Sequence, residues 1–468
     1  MNLLLVLLAC TGEDPLDSAP PTETGSPTET AAPPLDSDPG DSADTVDTED
    51  TAPVEPPRPD DLAVRVHEGM GSILVASWTQ NVEASVHLEF RVGDEVWRSS
   101  PTETRAAGAH EELVLGVPFG SEVAVRVVLD EVTSDEVVGT TDALPEGLPL
   151  PALLVSDDTL YDTDVPYMLL SFSREGSSSW LAMLDRQARV VWAMETPKGR
   201  STGSMHVSPD GDLVLVDVRD GEDSSKNVVL GMTLTGEVLE TIPVPGMHHS
   251  FMGLPGGALA WGGTLEGREV LRVQEADGTV EELWDCSAFW ADHGATMDCD
   301  GNAVWWNEVD GTIWFSSDNH NTVVELHRET GEVLRYWGEL DGAWGYAEGS
   351  KQMWKQHSPR LTPDGTLLVS SHFEKTQYEL VGREYQLDAK NEQLVEVWSC
   401  GVGSGLELRH SGEAHRFDNG NTLLNYGPTS YLREYTADCT IAWDAAWEVG
   451  TSLRRTDFPG DLYALVSE

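Results

Sequence analysis

Residues 321–337 read NTVVELHRETGEVLRYW, which is an apolar run, a Thr-Gly-Glu-Val turn and a second apolar run that ends in tryptophan. The same turn occurs at residues 235–238, and an apolar residue followed by Trp closes segments at Val191-Trp192, Leu283-Trp284, Tyr336-Trp337, Val397-Trp398 and Ala442-Trp443. These tryptophans lie 92, 53, 61 and 45 residues apart, and Gly236-Glu-Val-Leu-Glu240 stands midway in the first gap without Trp. The spacing predicts six units of about 50 residues each.

Turn signals separate the apolar runs within these units, at Pro209–Asp212, Pro255–Gly257, Asp300–Asn302, Pro363–Thr366 and Asp418–Asn421. Asn-Gly and Asp-Gly supply the positive φ of tight hairpins, and helical spacing is nowhere sustained. Strands in fours at a period of about 40–50 residues predict an all-β chain, with a six-bladed β-propeller over residues 150–468. We expect Asp461–Val466 to close the ring against the first blade.

A smaller β domain is predicted before the repeats, over residues 61–146. Apolar residues alternate along Ile73–Trp78, Ala84–Phe90 and Val123–Val128, as in half-buried strands, and Trp78 should lie in the centre. Leu113–Val127 resembles the late turn and strand of a fibronectin type III domain. This resemblance implies a β-sandwich of about 80 residues.

The chain begins with an uncharged apolar run, Met1–Ala9, that is too short to span a bilayer. Leu7-Leu-Ala-Cys10 resembles the lipobox of bacterial lipoproteins. The resemblance implies a signal peptide at residues 1–9 and a lipid on Cys10. We therefore expect an extracytoplasmic protein that is tethered to the bacterial outer membrane or cell surface.

Residues 10–60 are predicted to form a disordered acidic linker. Thirteen Asp or Glu and no Lys or Arg lie between Thr11 and Pro57, among many Pro, Thr and Ser residues. Such a segment cannot bury enough apolar surface to offset its ordering entropy. The whole chain has a formal net charge of −53, which argues against nucleic acid as a partner.

Four cysteines remain once Cys10 is set aside. An even number in an exported chain suggests disulfides, and we expect the local pairs Cys286–Cys299 and Cys400–Cys439. The second pair would join two neighbouring strands. No CxxC occurs, which argues against a zinc or thiol redox site, and we expect no metal and no cofactor.

Ten of the thirteen histidines lie in the repeats, and some recur at one position. His249 and His357 each stand eight residues before the Gly of a turn, and His410 and His415 precede Gly420. The strand before such a turn should be innermost, so these imidazoles should converge at the channel mouth. Neutral imidazole can attack an electrophile and exchange protons near pH 7. Four others are expected to be packing or surface residues: His206, His293, His327 and His372.

Several segments resemble the arylsulfotransferases, which are exported bacterial propeller enzymes also called aryl-sulfate sulfotransferases. The resemblance spans roughly Leu153 to the C-terminus. Its motifs are a His-His segment, a central blade in two parts and two further His-bearing blades. In this sequence they stand at Met247–Gly257, Asn302–Ser317, Asn321–Val333, Met353–Gly365 and Ser411–Leu424.

The resemblance implies ping-pong transfer of a sulfuryl group from an aryl sulfate to a phenol through a sulfohistidine, without a nucleotide donor. His248 and His249 fall on the family's His-His pair, and His357 falls on its Gln-His position. The nucleophile belongs to the last His-bearing blade, where His410 and His415 are the candidates and His410, further from the turn, is preferred. The candidate substrate-binding positions are His248, Asn302, Arg383 and His320. His320 is not part of the resemblance and could equally line the channel or be a surface residue.

Three positions depart from the family pattern. The Arg expected after the His357 blade has no clean match, and Arg383 is its nearest counterpart, with Lys375 as a substitute. Asp300 stands where the family has His before the central-blade Asn, and Asp318 stands where it has an Arg after Ser-Ser. Carboxylates near a sulfate site oppose anion binding. The alternative is therefore a diverged, non-catalytic surface protein that binds or scaffolds.

Overall fold

The computed structural model describes residues 55–174, 179–197, 200–295 and 297–466. Within these ranges the chain is almost entirely β-structure, with one short α-helix, α1, at Cys286–Asp292. None of their helices has the length and apolar character that a bilayer span requires. The predicted signal peptide, Cys10 and the predicted linker up to residue 54 lie outside the described residues.

The N-terminal domain is a sandwich of two antiparallel sheets. Its strands are β1 (Pro59–Val66), β2 (Leu74–Gln80), β3 (Ala84–Val92), β4 (Arg98–Ser99), β5 (Glu103–Arg105), β6 (Gly108–Val114), β7 (Glu122–Leu129), β8 (Val132–Thr133) and β9 (Val137–Thr140). One sheet has the order β1-β2-β6 and the other β4-β3-β7-β8, with β5 beside β3 and β9 beside β7. Buried and partly exposed side chains alternate along β3 and β7, so each inner face is apolar. Trp78 is buried among them, as predicted.

The rest of the described chain is a β-propeller. Its strands are β10 (Ala152–Ser156), β11 (Tyr167–Arg174), β12 (Ser179–Asp185), β13 (Val190–Glu195), β14 (Arg200–Ser201), β15 (Met205–Val207), β16 (Val214–Asp220), β17 (Val228–Met232), β18 (Val238–Pro243), β19 (Met247–Leu254), β20 (Ala258–Leu265), β21 (Arg268–Gln274), β22 (Val280–Asp285), β23 (Gly301–Asn307), β24 (Thr312–Ser317), β25 (Thr322–His327), β26 (Val333–Gly338), β27 (Gly345–Tyr346), β28 (His357–Leu361), β29 (Leu367–Glu374), β30 (Gln377–Asp388), β31 (Gln393–Cys400), β32 (Glu413–Arg416), β33 (Thr422–Asn425), β34 (Tyr431–Tyr435), β35 (Ile441–Ala446) and β36 (Thr451–Asp457).

These strands form six blades, which confirms the predicted all-β fold class. From the axis outward the first blade is β36-β11-β12-β13, and the second is β14 and β15 followed by β16-β17-β18. The third is β19-β20-β21-β22 and the fourth β23-β24-β25-β26. The fifth is β28-β29-β30-β31 with β27 added in parallel outside, and the sixth is β32-β33-β34-β35 with β10 outside.

Ring closure differs from the prediction. Asp461–Val466 does not form a strand; its last residues form a 3₁₀ turn, and the carbonyl of Leu465 accepts a hydrogen bond from the amide of Leu234 in the second blade. The closing strand is β36, which pairs with β11, while β10 pairs with β35. Both ends of the repeat region therefore lock the first blade to the sixth.

The tryptophan marks lie on the fourth strand of five blades, at Trp192, Trp284, Trp337, Trp398 and Trp443. The Thr-Gly-Glu-Val turns connect the third and fourth strands of the second and fourth blades. Gly331 has a φ of +67°, and a Cβ there would lie 1.9 Å from the carbonyl oxygen of Leu283 in the third blade. Only glycine fits at this position, because the adjoining blade packs directly against the turn.

Both predicted disulfides are present. Cys286–Cys299 closes the segment that carries α1 between the third and fourth blades. Cys400–Cys439 joins the end of β31 in the fifth blade to the β34–β35 turn in the sixth, so it links two blades rather than two neighbouring strands. Two disulfides indicate an oxidising, extracytoplasmic environment.

The seam between the sixth and first blades contains a buried ionic network. The guanidinium of Arg186, in the β12–β13 turn, pairs with Glu434 of β34, and their side chains are 6% and 0% exposed. Glu434 also accepts hydrogen bonds from the amide of Asp162 at 2.8 Å and from Asn421 Nδ2 at 2.6 Å. The indole of Trp443 donates to the carbonyl of Arg186 at 2.8 Å. The contacts Asp162–Glu434, Arg186–Glu434 and Trp443–Arg186 join chain segments that are 272, 248 and 257 residues apart in sequence.

Polar contacts join the sandwich to the propeller within one compact unit, Glu55–Glu468. Nη1 of Arg98 donates to the hydroxyl of Tyr167 in β11 and to the carbonyl of Gly116, both at 2.9 Å. Glu95 of the sandwich accepts from Arg189 in the β12–β13 turn. The sandwich is thereby held against the first blade.

Candidate functional site

One end of the propeller channel opens into a cavity of about 330 Å³. All six blades contribute to its wall. Each innermost strand runs from this cavity toward the other end, so residues at or just before the strand starts meet around one axis. The charged and titratable side chains in its wall are those of Arg219, His249, Asp300, Asp318, His357, His410, Arg454 and Arg455.

The imidazole of His357 stands at the start of β28 and has both nitrogens engaged. Nδ1 donates to the carbonyl of Lys355 at 2.9 Å, and Nε2 accepts the amide of Ser411 at 3.1 Å. Burial lowers the pKa of His357 to about 3. The ring is therefore neutral, and its one accepting nitrogen holds the backbone that carries His410.

The imidazole of His410 is exposed to the cavity. Its Nδ1 lies 3.3 Å from the hydroxyl of Ser411, and Nε2 makes no hydrogen bond to a described residue. The backbone turns sharply here, with φ of +70° at Ser411 and +108° at Gly412, before β32 begins. A Cβ at Gly412 would lie 2.9 Å from Leu380, so the turn needs a glycine. The turn presents His410 at the mouth with a free nitrogen.

The other late histidine, His415, lies at the opposite end of the channel. It lines a second cavity of about 630 Å³, and its ring packs edge-on against Phe458 with centroids 4.9 Å apart. Its Nε2 is 3.4 Å from the carboxylate of Glu413, and burial lowers the pKa of His415. Of the two nucleophile candidates, His410 alone shares a cavity with His249 and His357.

The paired histidines of β19 point in different directions. Nε2 of His249 lies 3.5 Å from Oδ1 of Asp300, at the cavity wall. Nε2 of His248 lies 3.1 Å from Glu269, away from the cavity lining. Arg219 of β16 donates to the backbone carbonyls of both histidines and pairs with Asp217, which fixes the start of β19.

Arg454 and Arg455 of β36 were not singled out by the sequence. The guanidinium of Arg454 makes no hydrogen bond or ion pair with a described residue, and its Nε is buried. Burial lowers the pKa of Arg454 and nearby Arg219 adds to this, although Asp217 opposes it. Recognising β36 as the closing strand would have found both arginines, because the closing strand is innermost.

Arg455 crosses the channel. From the first blade it reaches Ser358 of the fifth blade, Oε1 of Glu413 in the sixth at 3.0 Å and the carbonyl of Asn302 in the fourth at 3.3 Å. Oε2 of Glu413 accepts the amide of Thr456 at 2.6 Å. Although burial opposes it, His415, Arg455 and Arg360 hold the pKa of Glu413 well below its usual range. This network forms a floor between the two cavities.

Arg383, predicted to bind substrate, lies elsewhere. Its Nη1 is paired with Glu396 at 2.5 Å and its Nη2 donates to the carbonyl of Phe373 at 2.8 Å. The side chain is 1% exposed and does not line the cavity. Arg383 lies on the third strand of its blade, away from the axis, whereas Arg454 of the innermost strand lines the cavity.

The remaining predicted binding residues divide. Asn302 lines the cavity; its Nδ2 donates to the carbonyl of Gln356 at 2.7 Å, and its buried Oδ1 has no described partner. His320 lies in the β24–β25 turn, with Nε2 3.2 Å from the carbonyl of Met297, and is not part of the cavity lining. The sequence left open whether His320 lines the channel or lies at the surface, and the structure places it outside the cavity lining.

The four other histidines lie outside the cavity. The rings of His206, His293 and His372 pack against Phe251, Phe289 and Tyr378, and His327 is exposed at the end of β25. Burial lowers the pKa of His372 to about 4. Among the described residues, no group of three or more metal-ligating side chains is arranged to hold a metal ion.

No family model matches this sequence, and no curated protein matches it. Among solved structures, similar chains include a protein of unknown function from Bacteroides caccae, with 16% identity, a TM-score of 0.43 and coverage of 62% of this chain and 97% of that one. A putative 6-phosphogluconolactonase from Bacteroides uniformis has 12% identity, a TM-score of 0.41 and coverage of 80% and 99%. Virginiamycin B lyase from Staphylococcus aureus has 10% identity, a TM-score of 0.36 and coverage of 65% and 99%. These likenesses concern the fold and not the reaction.

Proposed function

We propose that this chain transfers a sulfuryl group from an aryl sulfate to a phenol through a covalent sulfohistidine at His410. The observation that carries the proposal is the guanidinium of Arg454, which has no described partner and lies in the same cavity as an imidazole with a free nitrogen. An unpaired, partly buried cation favours an anionic ligand, because the ligand's charge offsets the cost of its desolvation. A histidine beside that anion is a suitable nucleophile.

The first half-reaction forms a nitrogen–sulfur bond. The lone pair of His410 Nε2 attacks the sulfur, the bond from sulfur to the aryl oxygen breaks, and its electron pair passes to that oxygen. Arg454 stabilises the negative oxygens of the sulfuryl group, which requires fixed donors inside a cavity. His357 stays neutral and holds the Ser411 amide, which keeps the His410 turn in position. A phenol then attacks the same sulfur and releases His410.

The proposal is tested with p-nitrophenyl sulfate and phenol as acceptor. His410→Ala should abolish nitrophenol release, whereas His415→Ala at the other end of the channel should leave kcat within about threefold. A rapid quench in alkaline denaturant, which preserves the acid-labile nitrogen–sulfur bond, should trap a protein adduct with the mass of one sulfuryl group in the wild type when no acceptor is present. Loss of activity in His415→Ala with retention in His410→Ala would show that the nucleophile is wrongly chosen.

A second candidate function is non-catalytic binding of small molecules or scaffolding, and Asp300 and Asp318 in the cavity wall favour it. Carboxylates there weaken binding of a sulfate ester. In this case no acceptor would support nitrophenol release, and calorimetry would show no difference in aryl sulfate affinity between the wild type and Arg454→Gln.

We also propose that the chain is a lipoprotein, anchored through Cys10 at the bacterial outer membrane or cell surface. The support is the lipobox-like sequence together with the two disulfides, which fit an exported protein. Metabolic labelling with an alkyne fatty acid should mark the wild type and not Cys10→Ala. Equal labelling of both would contradict the anchor.

A further inference from the structure

The cavity has two chemically different walls. Blades follow one another around the axis, so in a ring of six the sixth faces the third and the first faces the fourth. His410 of the sixth blade and Arg454 of the first therefore stand opposite His249 of the third and Asp300 and Asp318 of the fourth. His410 and the unpaired guanidinium of Arg454 occupy one side, and a histidine with two carboxyl groups occupies the other, where Arg219 also contacts the carbonyl of His249.

Asp318 is the most enclosed of these acidic groups. Its side chain is 14% exposed, Oδ1 is buried without a described hydrogen-bond partner, and Oδ2 lies 3.6 Å from Nζ of Lys355. Asp300 is 45% exposed, lies 3.5 Å from Nε2 of His249 and interacts directly with Asp318. The carboxyl pair therefore has one member held by an imidazole and one with an unused oxygen.

Two neighbouring carboxyl groups do not both ionise readily, and the surroundings decide which one keeps the proton. Burial raises the pKa of Asp318, and Asp300 adds to this against the opposing charge of Lys355. The hydrogen bond to His249 lowers the pKa of Asp300, and the charges of His249 and His248 act in the same direction. Of the two carboxyl groups, Asp318 therefore takes up a proton more readily, and Asp300 keeps its negative charge more readily.

Displacement at a sulfuryl group, like that at a phosphoryl group, needs the attacking and leaving atoms roughly in line. A nucleophile on the sixth blade sends the leaving oxygen toward the third and fourth blades. We propose that Asp318 is the proton donor to the leaving aryl oxygen and, in the second half-reaction, the acceptor of the phenol proton. This role rests on the proposed sulfotransfer. It involves Asp318 and its neighbour Asp300, where this chain has carboxyl groups in place of the His and Arg of the family pattern.

Both half-reactions balance with this single proton. As the sulfur–oxygen bond breaks, its electron pair goes to the aryl oxygen, which takes the proton of Asp318; the products are a phenol, an Asp318 carboxylate and a sulfuryl group on His410. The acceptor phenol then gives its proton to Asp318 while its oxygen attacks the sulfur. The nitrogen–sulfur bond breaks, its electron pair returns to His410, and the starting protonation is restored.

The test is the dependence of kcat/KM on the leaving group. A nitrophenolate leaves without a proton, whereas an unsubstituted phenolate needs one. Asp318→Asn should therefore lose less than about threefold with p-nitrophenyl sulfate and about 10²-fold or more with phenyl sulfate. Asp298→Asn is the matched control, because Asp298 is an exposed acid that does not line the cavity. Across a series of substituted aryl sulfates, only Asp318→Asn should show a steeper dependence on leaving-group pKa.

The outcomes separate the two proposals. If the wild type releases no phenol from any ester, sulfotransfer fails and the proton donor fails with it. If the wild type is active and Asp318→Asn loses the same factor with every ester, or none, the proton-donor role alone is overturned.

Asp300→Asn gives an independent measure: without the Asp300 charge the pKa of Asp318 falls, so the alkaline limb of the pH profile with phenyl sulfate should move to lower pH. An unmoved limb would also overturn the role.

Discussion

The guanidinium of Arg454 is costly to the folded protein, since it is partly buried and no described residue pairs with it. Arg454→Gln should therefore leave thermal stability equal or raise it, while the affinity for p-nitrophenyl sulfate falls about 10- to 100-fold with the loss of a charged hydrogen bond. Calorimetric titration and a melting curve measure the two effects. Arg409→Gln, at an exposed arginine outside the cavity, is the control; equal affinity in all three proteins would contradict an anion site at Arg454.

His357 makes the fold sensitive to acid. Its pKa is about 3 in the folded protein, because burial excludes the charged form, against an ordinary value near 6.5. Between these values the unfolded chain binds a proton that the folded chain does not, so stability falls as the pH falls from about 6.5 toward 3. His357→Gln should reduce the loss of unfolding free energy between pH 7 and 4.5 by about 2 kcal/mol in urea titrations. The same loss in wild type and variant would contradict this assignment.

The two late histidines show what the sequence reveals at the scale of a residue. His410 and His415 are five positions apart and both precede the same turn, so spacing alone left both as candidates. A strand rises about 3.3 Å per residue, so five residues carry the chain through much of the channel. The preference for His410, the residue further from the turn, agrees with its place in the cavity wall. The catalytic role of His410 stays a prediction. The predicted place of Arg383 at the cavity was wrong, because the distance of a residue from the axis depends on which strand of the blade carries it.

At the scale of an element, the closing strand β36 could not be recognised from the sequence. β36 reads TSLRRTD, with two arginines that face the channel and no apolar run, so it lacks the pattern that marks the other strands. Asp461–Val466 is apolar and was taken for a strand, but its apolar residues pack on the second blade and the sandwich. Most of the outer strands were recognisable, because five of the six carry a tryptophan, and four of these indoles are buried.

The seam between the first and sixth blades should depend strongly on Glu434. Glu434→Gln leaves Arg186 buried without its counter-charge and should lower the free energy of unfolding by about 3–5 kcal/mol. Glu448→Gln removes the partner of Arg174 in a pair that is 75% and 46% exposed, and should cost less than about 1 kcal/mol. Denaturant titration of both variants measures the difference. Similar losses in the two would show that the seam does not depend on this pair.

At the scale of the whole molecule, charge is far from balanced, with 81 acidic and 28 basic residues. Repulsion among like charges opposes the compact state, and salt screens it over about 10 Å at 0.1 M. Raising NaCl from 10 to 200 mM should therefore raise the melting temperature by about 1–2 °C, which corresponds to roughly 1 kcal/mol for a folded unit of this size. A falling melting temperature would show that ion pairs such as Arg268–Glu282 outweigh the repulsion.

Overall architecture was the most predictable property, because six repeats report the same local pattern six times. Blade number and both disulfides followed from the spacing of Trp, Gly and Cys. The cavity was only partly predictable, since its wall combines single residues from six blades and depends on side-chain direction. His248 illustrates this: it adjoins His249 in sequence, yet its ring turns to Glu269.

The floor formed by Arg455 and Glu413 turns the channel into a dead end. A ligand that enters at the mouth near His410 has no exit on the far side, so it has to leave through the opening by which it entered. We therefore expect ligands to bind and dissociate one after another through this opening, whatever reaction takes place in the cavity.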